Sequence, residues 1–227
     1  MPRSLLKPAL FFDFDNTLTH GDVLDELIER YSPNEAWRDW EEAWQQGRLP
    51  AHECLRLQVE NMRVSRERLL EDVARVRIDP VFAEIVEWAT LHEVPVRIVS
   101  DSFLPLIARI LDANGIAGIR VLANDLTFAA GDRLVPSFPH YDPRSACAAN
   151  AKARHLAPYR ARHRIVFAGD GHSDLDAALA ADVVFAKSTL ANELDARGGS
   201  FYPFDTLEPV LAFLESVPMV SASVARR

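Results

Sequence analysis

Short apolar runs alternate with amphipathic stretches along most of the chain, and two of those runs end in clusters of acidic residues. Ala9-Leu10-Phe11-Phe12 and Ile165-Val166-Phe167-Ala168 are too short for helices and too evenly apolar for half-exposed strands, so each reads as a strand covered on both faces. Residues 94–99, 120–123 and 183–186 read the same way, and the run at 120–123 leads into a hairpin with its turn near Ala130-Gly131-Asp132. Helical periodicity fills the gaps at residues 81–91, 104–114 (closed by Gly115), 144–155 and 174–180. Strands alternating with helices predict an α/β fold of three layers around a mainly parallel sheet.

Residues 21–78 break this rhythm. They are helical and rich in charge, with an amphipathic segment from Asp22 to Arg30, prolines at 33 and 50, and further helices over 51–62 and 66–76. The expected organisation is therefore a core of residues 1–20 and 79–215, a helical cap at 21–78 inserted after the first strand, and a tail at 216–227. Trp37, Trp40 and Trp44 fall at i, i+3 and i+7 on one helical face, and packing within the cap or a homodimer contact is the favoured reading of that face.

With 227 residues, 48% of them apolar, the chain is long enough to bury a full core. A net charge of -8 without a dense Lys/Arg block argues against nucleic acid or an anionic membrane surface as partner, and leaves a small molecule as the expected one. No apolar stretch is long enough to span a bilayer and the first residues lack a signal segment, so cytoplasmic residence is expected. The two cysteines, Cys54 and Cys147, match no metal or redox spacing and read as free thiols.

The first acidic cluster is Asp13-Phe14-Asp15-Asn16-Thr17 and the second is Gly169-Asp170-Gly171-His172-Ser173-Asp174. In a parallel sheet, ligands sit beyond the carboxyl ends of strands, so two clusters at two such ends can converge on one crevice. Asp13 and Asp15 are two apart and share a side in extended geometry, which suits a nucleophile (Asp13) working with a general acid/base (Asp15). Mg²⁺ prefers oxygen ligands, which Asp13, Asp15 through its backbone carbonyl, and Asp170 could supply, with Asp174 as a further ligand or as an orienting group.

Together these motifs resemble those of the haloacid dehalogenase superfamily of phosphatases, over nearly the whole chain and in the family's order. Asp13 to Thr17 matches the first motif, Ser100 the second, Lys152 the third and Gly169 to Asp174 the fourth. The resemblance implies a Mg²⁺-dependent hydrolysis of a small phosphomonoester through a phosphoaspartate. Thr17 and Ser100, with Asn16 beside them, would then meet the phosphoryl group, and Lys152 would neutralise its charge. Transfer to an acceptor alcohol and a non-catalytic binding role are the alternative readings. The insertion is similar to the helical cap of the phosphoserine phosphatase subgroup. Residues 123–128, 184–187 and 202–206 are similar to the branch that acts on 2-hydroxy-3-keto-5-methylthiopentenyl-1-phosphate. Ser100-Asp101-Ser102 stands where many relatives carry Ser-Gly-Gly, which places an additional carboxylate beside the phosphate site. His20, Arg48 and Arg56 are the cap residues considered for contact with substrate.

Overall fold

The computed structural model describes residues 6–145 and 147–217. Most of the expected tail, residues 218–227, lies outside the described residues. The chain begins with β1 (Pro8–Phe12), followed by four helices: α1 (Val23–Tyr31), α2 (Ala36–Gln45), α3 (Ala51–Asn61) and α4 (Arg66–Val73). It continues through α5 (Val81–Leu91), β2 (Val96–Phe103), α6 (Leu104–Ala113), β3 (Arg120–Ala129), β4 (Arg133–Ser137) and α7 (Lys152–Leu156). The last elements are β5 (Arg164–Gly169), α8 (Leu175–Ala180), β6 (Val183–Ala186), α9 (Ser188–Ala196), β7 (Tyr202–Pro203) and α10 (Glu208–Ser216).

Seven strands form one sheet in the order β4-β3-β2-β1-β5-β6-β7, with only β4 antiparallel to its neighbour. Without β4, this is the doubly wound order 3-2-1-4-5-6. The chain winds outward from β1 to β3, then returns across β1 to start β5, so the topological switch point lies between β1 and β5. Pairing of Phe12 with Ala168 brings the two acidic clusters out of the sheet side by side.

The strand interiors alternate between two packed faces, as a period of two requires. Leu10, Phe12, Ile98, Val166 and Phe185 pack with Phe82, Ile107, Ile110 and Leu214 from α5, α6 and α10. Ala9, Phe11, Ile165, Phe167 and Ala186 pack instead with Leu156, Ala178 and Leu190 from α7, α8 and α9. Helices thus cover both faces, which gives the predicted three layers.

The α1–α4 segment leaves and re-enters the core at one point, where Thr19 bridges Ile78 and Asp79 N–H donates to Leu18 O at 2.8 Å. Asp22 starts α1 by accepting the Asp25 N–H at 2.9 Å, and Ser65 caps α4 in the same manner. The inner face of the segment is apolar: Leu27, Ile28, Val59 and Leu69 join the cluster formed by α5 and the sheet. Leu27 and Ile28, 4% and 0% exposed, each contribute about 1.5–3 kcal/mol of burial.

Several boundaries differ from the sequence reading. β2 runs through Ser100, Asp101 and Ser102 to Phe103 instead of ending at Val99, and β3 extends to Ala129 because the hairpin continues it. The hairpin turn does fall at Ala130 to Asp132, with Gly131 and Asp132 at φ 72° and 56°. Of the expected helix at 144–155, the described residues form only Lys152–Leu156, because Asp101 takes the Ala149 and Asn150 N–H groups that a helix would have bonded internally. α4 stops at Val73, before the expected 76.

Candidate active site

The β1 loop is shaped by its own backbone. Phe14, fully buried, anchors it, and Phe14 O accepts the N–H groups of Thr17, Leu18 and Thr19. Asn16 takes the left-handed conformation at φ 49°, which asparagine tolerates, and its N–H donates to Gly21 O and Thr19 Oγ1. Asp13 is tied to β5 by its N–H, which donates to Ala168 O at 2.9 Å. Asp15 turns toward α1, where its Oδ1 accepts the Val23 N–H at 3.1 Å. Burial, then the neighbouring Asp22, hold its carboxyl well above the usual carboxylate range.

The β5 loop is built around Asp174, which has no exposed surface. Its Oδ2 accepts the N–H groups of Asp170 and Gly171 at 3.0 and 3.1 Å. Gly169 allows this closeness, since a Cβ there would lie 2.6 Å from Asp174 Oδ2 and 2.8 Å from the Phe167 ring. Asp170 links the two loops by accepting from Asn16 Nδ2 at 2.7 Å and Thr17 Oγ1 at 3.2 Å. It is pushed up to about 6 by burial and then by Asp174, against the opposing hydrogen bond from Asn16.

Lys152 completes the centre from α7. Its ammonium, 2% exposed as a residue, donates to Asp13 Oδ1 and Asp174 Oδ1, both at 2.7 Å, and to Ser173 Oγ at 3.1 Å. Burial alone would lower its pKa, but the charges of Asp13, Asp174 and Asp101 raise it well above the ordinary lysine value. Asp13 Oδ2 has no protein partner among the described residues. Ser100 is buried at the edge of the same space, with its Oγ accepting the Ser102 N–H and its carbonyl held by Asn150 Nδ2.

Carboxylate oxygens of Asp13, Asp170 and Asp174 lie within 4.8 Å of one another. Mg²⁺ binds oxygens at about 2.0–2.1 Å in octahedral geometry, so ligands on opposite sides stand about 4 Å apart, and these carboxylates meet that spacing. They fit the ion in chemistry as well as distance. The Asp15 carboxylate is not part of this group.

Above the acidic centre lies a cavity of about 160 Å³ between the sheet and the α1–α4 segment. Asp13, Asp15, Ser100, Lys152 and Asp170 line it, whereas Asn16 and Thr17, which donate to Asp170, are not among the lining residues. His20, Arg48 and Arg56 do not line it. His20 is exposed, Arg48 bonds Gln46, and Arg56 is held on its own helix by Glu53 and Glu60. The helical wall is made instead by the polar Asp22, Asp25, Glu41 and Gln58 and by Leu24, Trp44, Ala51, Cys54 and Leu55, none of them expected as site residues from the sequence. Asp22 also caps α1. Trp44 shared the expected tryptophan face, but it reaches across to His172 with a ring separation of 6.2 Å, while Trp37 packs partly buried on the core.

A doubly wound α/β protein with two acidic loops and a buried lysine converging at its switch point has the layout of an enzyme whose reaction takes place beyond the carboxyl ends of its strands, and comparison with known proteins makes it a hydrolase of phosphoric monoesters. A family model for haloacid dehalogenase-like hydrolases matches residues 10–179, and the chain belongs to that family. It is 28% identical to a polyol phosphate phosphatase of Saccharomyces cerevisiae, over 97% of this chain and 98% of that protein. It is 25% identical to a 2-hydroxy-3-keto-5-methylthiopentenyl-1-phosphate phosphatase of Brevibacillus brevis, over 93% of this chain and 96% of the other. Among solved structures, a phosphoserine phosphatase carrying a phospho-aspartyl intermediate analogue superposes with a TM-score of 0.69 at 19% identity, covering 92% of this chain and 99% of that one. At that identity the superposition speaks for the fold alone.

Proposed function

We propose that the protein hydrolyses a small-molecule phosphomonoester, with Mg²⁺, through a phosphoaspartate at Asp13. The observation that carries this reading is the buried Lys152 ammonium, 2.7 Å from both Asp13 and Asp174, at the floor of a cavity into which Asp13 Oδ2 is free to react. Asp13 Oδ2 attacks phosphorus as the bond from phosphorus to the alcohol oxygen breaks, and Asp15 gives its proton to that oxygen. A water then attacks the phosphoaspartate and yields its proton to Asp15, which releases phosphate and restores the Asp13 carboxylate. The upward shift of Asp15 is the direction an acid needs in order to hold a proton near neutral pH.

Asp13, Asp170 and Asp174 would hold the Mg²⁺, which when bound neutralises charge on the phosphoryl oxygens. Lys152 supplies a second, fixed positive charge, and Ser100, which lines the cavity, orients the phosphoryl group in this reading. The relatives over almost the full chain are named as phosphatases of small phosphate esters, which supports the same chemistry. The helices over the cavity act as the cap that encloses the leaving group, and the enzyme works in the cytoplasm on a diffusible substrate.

The test is phosphate release from a panel of small phosphomonoesters with Mg²⁺, with chelator, and with Asp13→Asn. Turnover that needs the metal and falls on the order of 10³-fold or more in the variant is expected. An Asp13→Asn protein with wild-type turnover would overturn the proposal.

A further inference from the structure

The cavity has two walls of opposite design. On the core side, the one lysine or arginine in the lining is Lys152, and its charge is already shared between Asp13 and Asp174. On the helical side stand three carboxylates, Asp22 and Asp25 from the start of α1 and Glu41 from α2, with no lysine, arginine or histidine among them. A leaving group bound over Asp13 must face this wall.

These carboxylates are not a second metal centre, because the metal-capable group among the described residues is Asp13, Asp170 and Asp174. Helix capping does not account for them all. Asp22 caps α1, and Glu41, mid-helix, accepts from Gln45, Cys54 and Gln58 without a lysine or arginine partner, but the Asp25 side chain makes no hydrogen bond or ion pair among the described residues. Gln58, 1% exposed, gives a further indication. Its Nε2 donates to Glu41 Oε2 at 3.1 Å and to Trp37 O at 3.4 Å, which fixes the amide of this lining residue, and Oε1 accepts no hydrogen bond among the described residues. The wall therefore offers acceptors and negative charge, and the Trp44 ring beside them. Their mutual repulsion is visible in Asp25, pushed up to about 7 by loss of solvation and then by Asp22, Glu41 and Glu29.

We infer that the α1–α3 wall selects a cationic leaving group, so that the preferred substrate class is the phosphomonoester of a small amino alcohol. An ammonium facing Asp25 and Glu41 relieves the repulsion between them and favours the charged form of Asp25. It also donates hydrogen bonds to the free Gln58 oxygen, and an aromatic ring welcomes it. A neutral polyol can donate to the same acceptors but neutralises nothing. A leaving group bearing a carboxylate finds no lysine or arginine on this wall. The inference rests on the phosphatase reading and names its substrate.

Three esters of nearly equal size test it on the wild-type protein: 2-aminoethyl, 2-hydroxyethyl and carboxymethyl phosphate, with p-nitrophenyl phosphate as a reference and Mg²⁺ present. The expected order of kcat/KM is amino over hydroxyl over carboxyl, with about a tenfold step between the first two. In the Asp25→Asn/Glu41→Gln protein the ratio of amino to hydroxyl ester should collapse toward one, and Asp25→Lys should raise the relative rate on the carboxymethyl ester. A hydroxyl or carboxyl ester hydrolysed as well as the amino ester, or a ratio unchanged in the double variant, overturns the inference alone. So does turnover of p-nitrophenyl phosphate with none of the three esters. Silence toward all four compounds overturns the phosphatase reading and the inference with it.

Discussion

Asp101 Oδ1 accepts the backbone N–H of Asn150 at 3.0 Å, and its Oδ2 accepts that of Ala149 at 2.8 Å. The two bonds hold the chain open just before Lys152, and Asn150 extends the same brace by donating to Ser100 O and Leu122 O. Asp101 thus positions the lysine through the backbone and does not touch its ammonium. Asp101→Asn keeps one acceptor oxygen and loses the other, so one N–H is left unpaired at about 1–3 kcal/mol. The expected result is a drop of about tenfold in kcat with KM little changed, since the cavity wall is kept. Equal losses in kcat and in substrate affinity would argue that Asp101 contacts substrate instead.

Gly169 leaves no room for a side chain beside Asp174. A methyl at that position would meet a fully buried carboxylate and the Phe167 ring, neither of which has space to retreat. Gly169→Ala should cost about 1–3 kcal/mol in denaturant unfolding, as overpacking of a tight interior does. It should also weaken Mg²⁺ binding about tenfold by isothermal titration, because any shift that makes room for the methyl strains the Asp174 carboxylate. A stable variant with unaltered metal affinity would show that Asp174 is not a ligand and that the loop yields elsewhere.

The parts of this site that were legible in the sequence are those fixed by local pattern. Asp13 and Asp170 could be placed because each directly follows a continuous apolar strand, and strand ends in a parallel sheet have a known place. The parts that were not legible depend on contacts between distant segments. Residues 144–151 have helical periodicity, but Asp101, some fifty positions away, competes for their N–H groups and wins. Residue type alone points to arginines 48 and 56, which are satisfied locally by Gln46, Glu53 and Glu60, whereas Asp25 and Glu41 acquire meaning only once α1 and α2 fold over the sheet. The tryptophan spacing gave a helical face but not which ring would cross to the core, a matter of where α2 lies.

Lys152 separates two buried carboxylates, so its loss has a consequence for stability that metal can modulate. In Lys152→Met the Asp13 and Asp174 oxygens face each other without a counter-charge, and breaking a buried pair in this way costs about 3–5 kcal/mol. Mg²⁺ bound by the same carboxylates restores part of the missing positive charge. The variant should therefore gain more in Tm from Mg²⁺ than the wild type does, while its turnover stays depressed by about 10²–10³-fold. Equal gains in both proteins would mean that the ion does not bind where the lysine sits.

His155 should give the fold a dependence on pH of its own. It is half-buried against His140, with Nε2 at 2.8 Å from Asn150 Oδ1, and burial first, then His140, Arg154 and Arg120, push its pKa down to about 4. Unfolded, a histidine titrates near about 6.5. Between those values the unfolded chain holds the proton and the folded protein does not, so stability falls as pH drops from about 6.5 to 4 and is unaffected by this group above that range. His155→Gln can keep a hydrogen bond to Asn150 but has no proton to take up. Its unfolding free energy should fall less steeply over that window, by a fraction of one proton's worth of slope because the ring keeps some contact with solvent, and the two curves should run parallel above about pH 7. Urea titrations at half-unit steps from pH 4 to 8 would measure this, and curves parallel throughout would mean that His155 is free to protonate in the folded state.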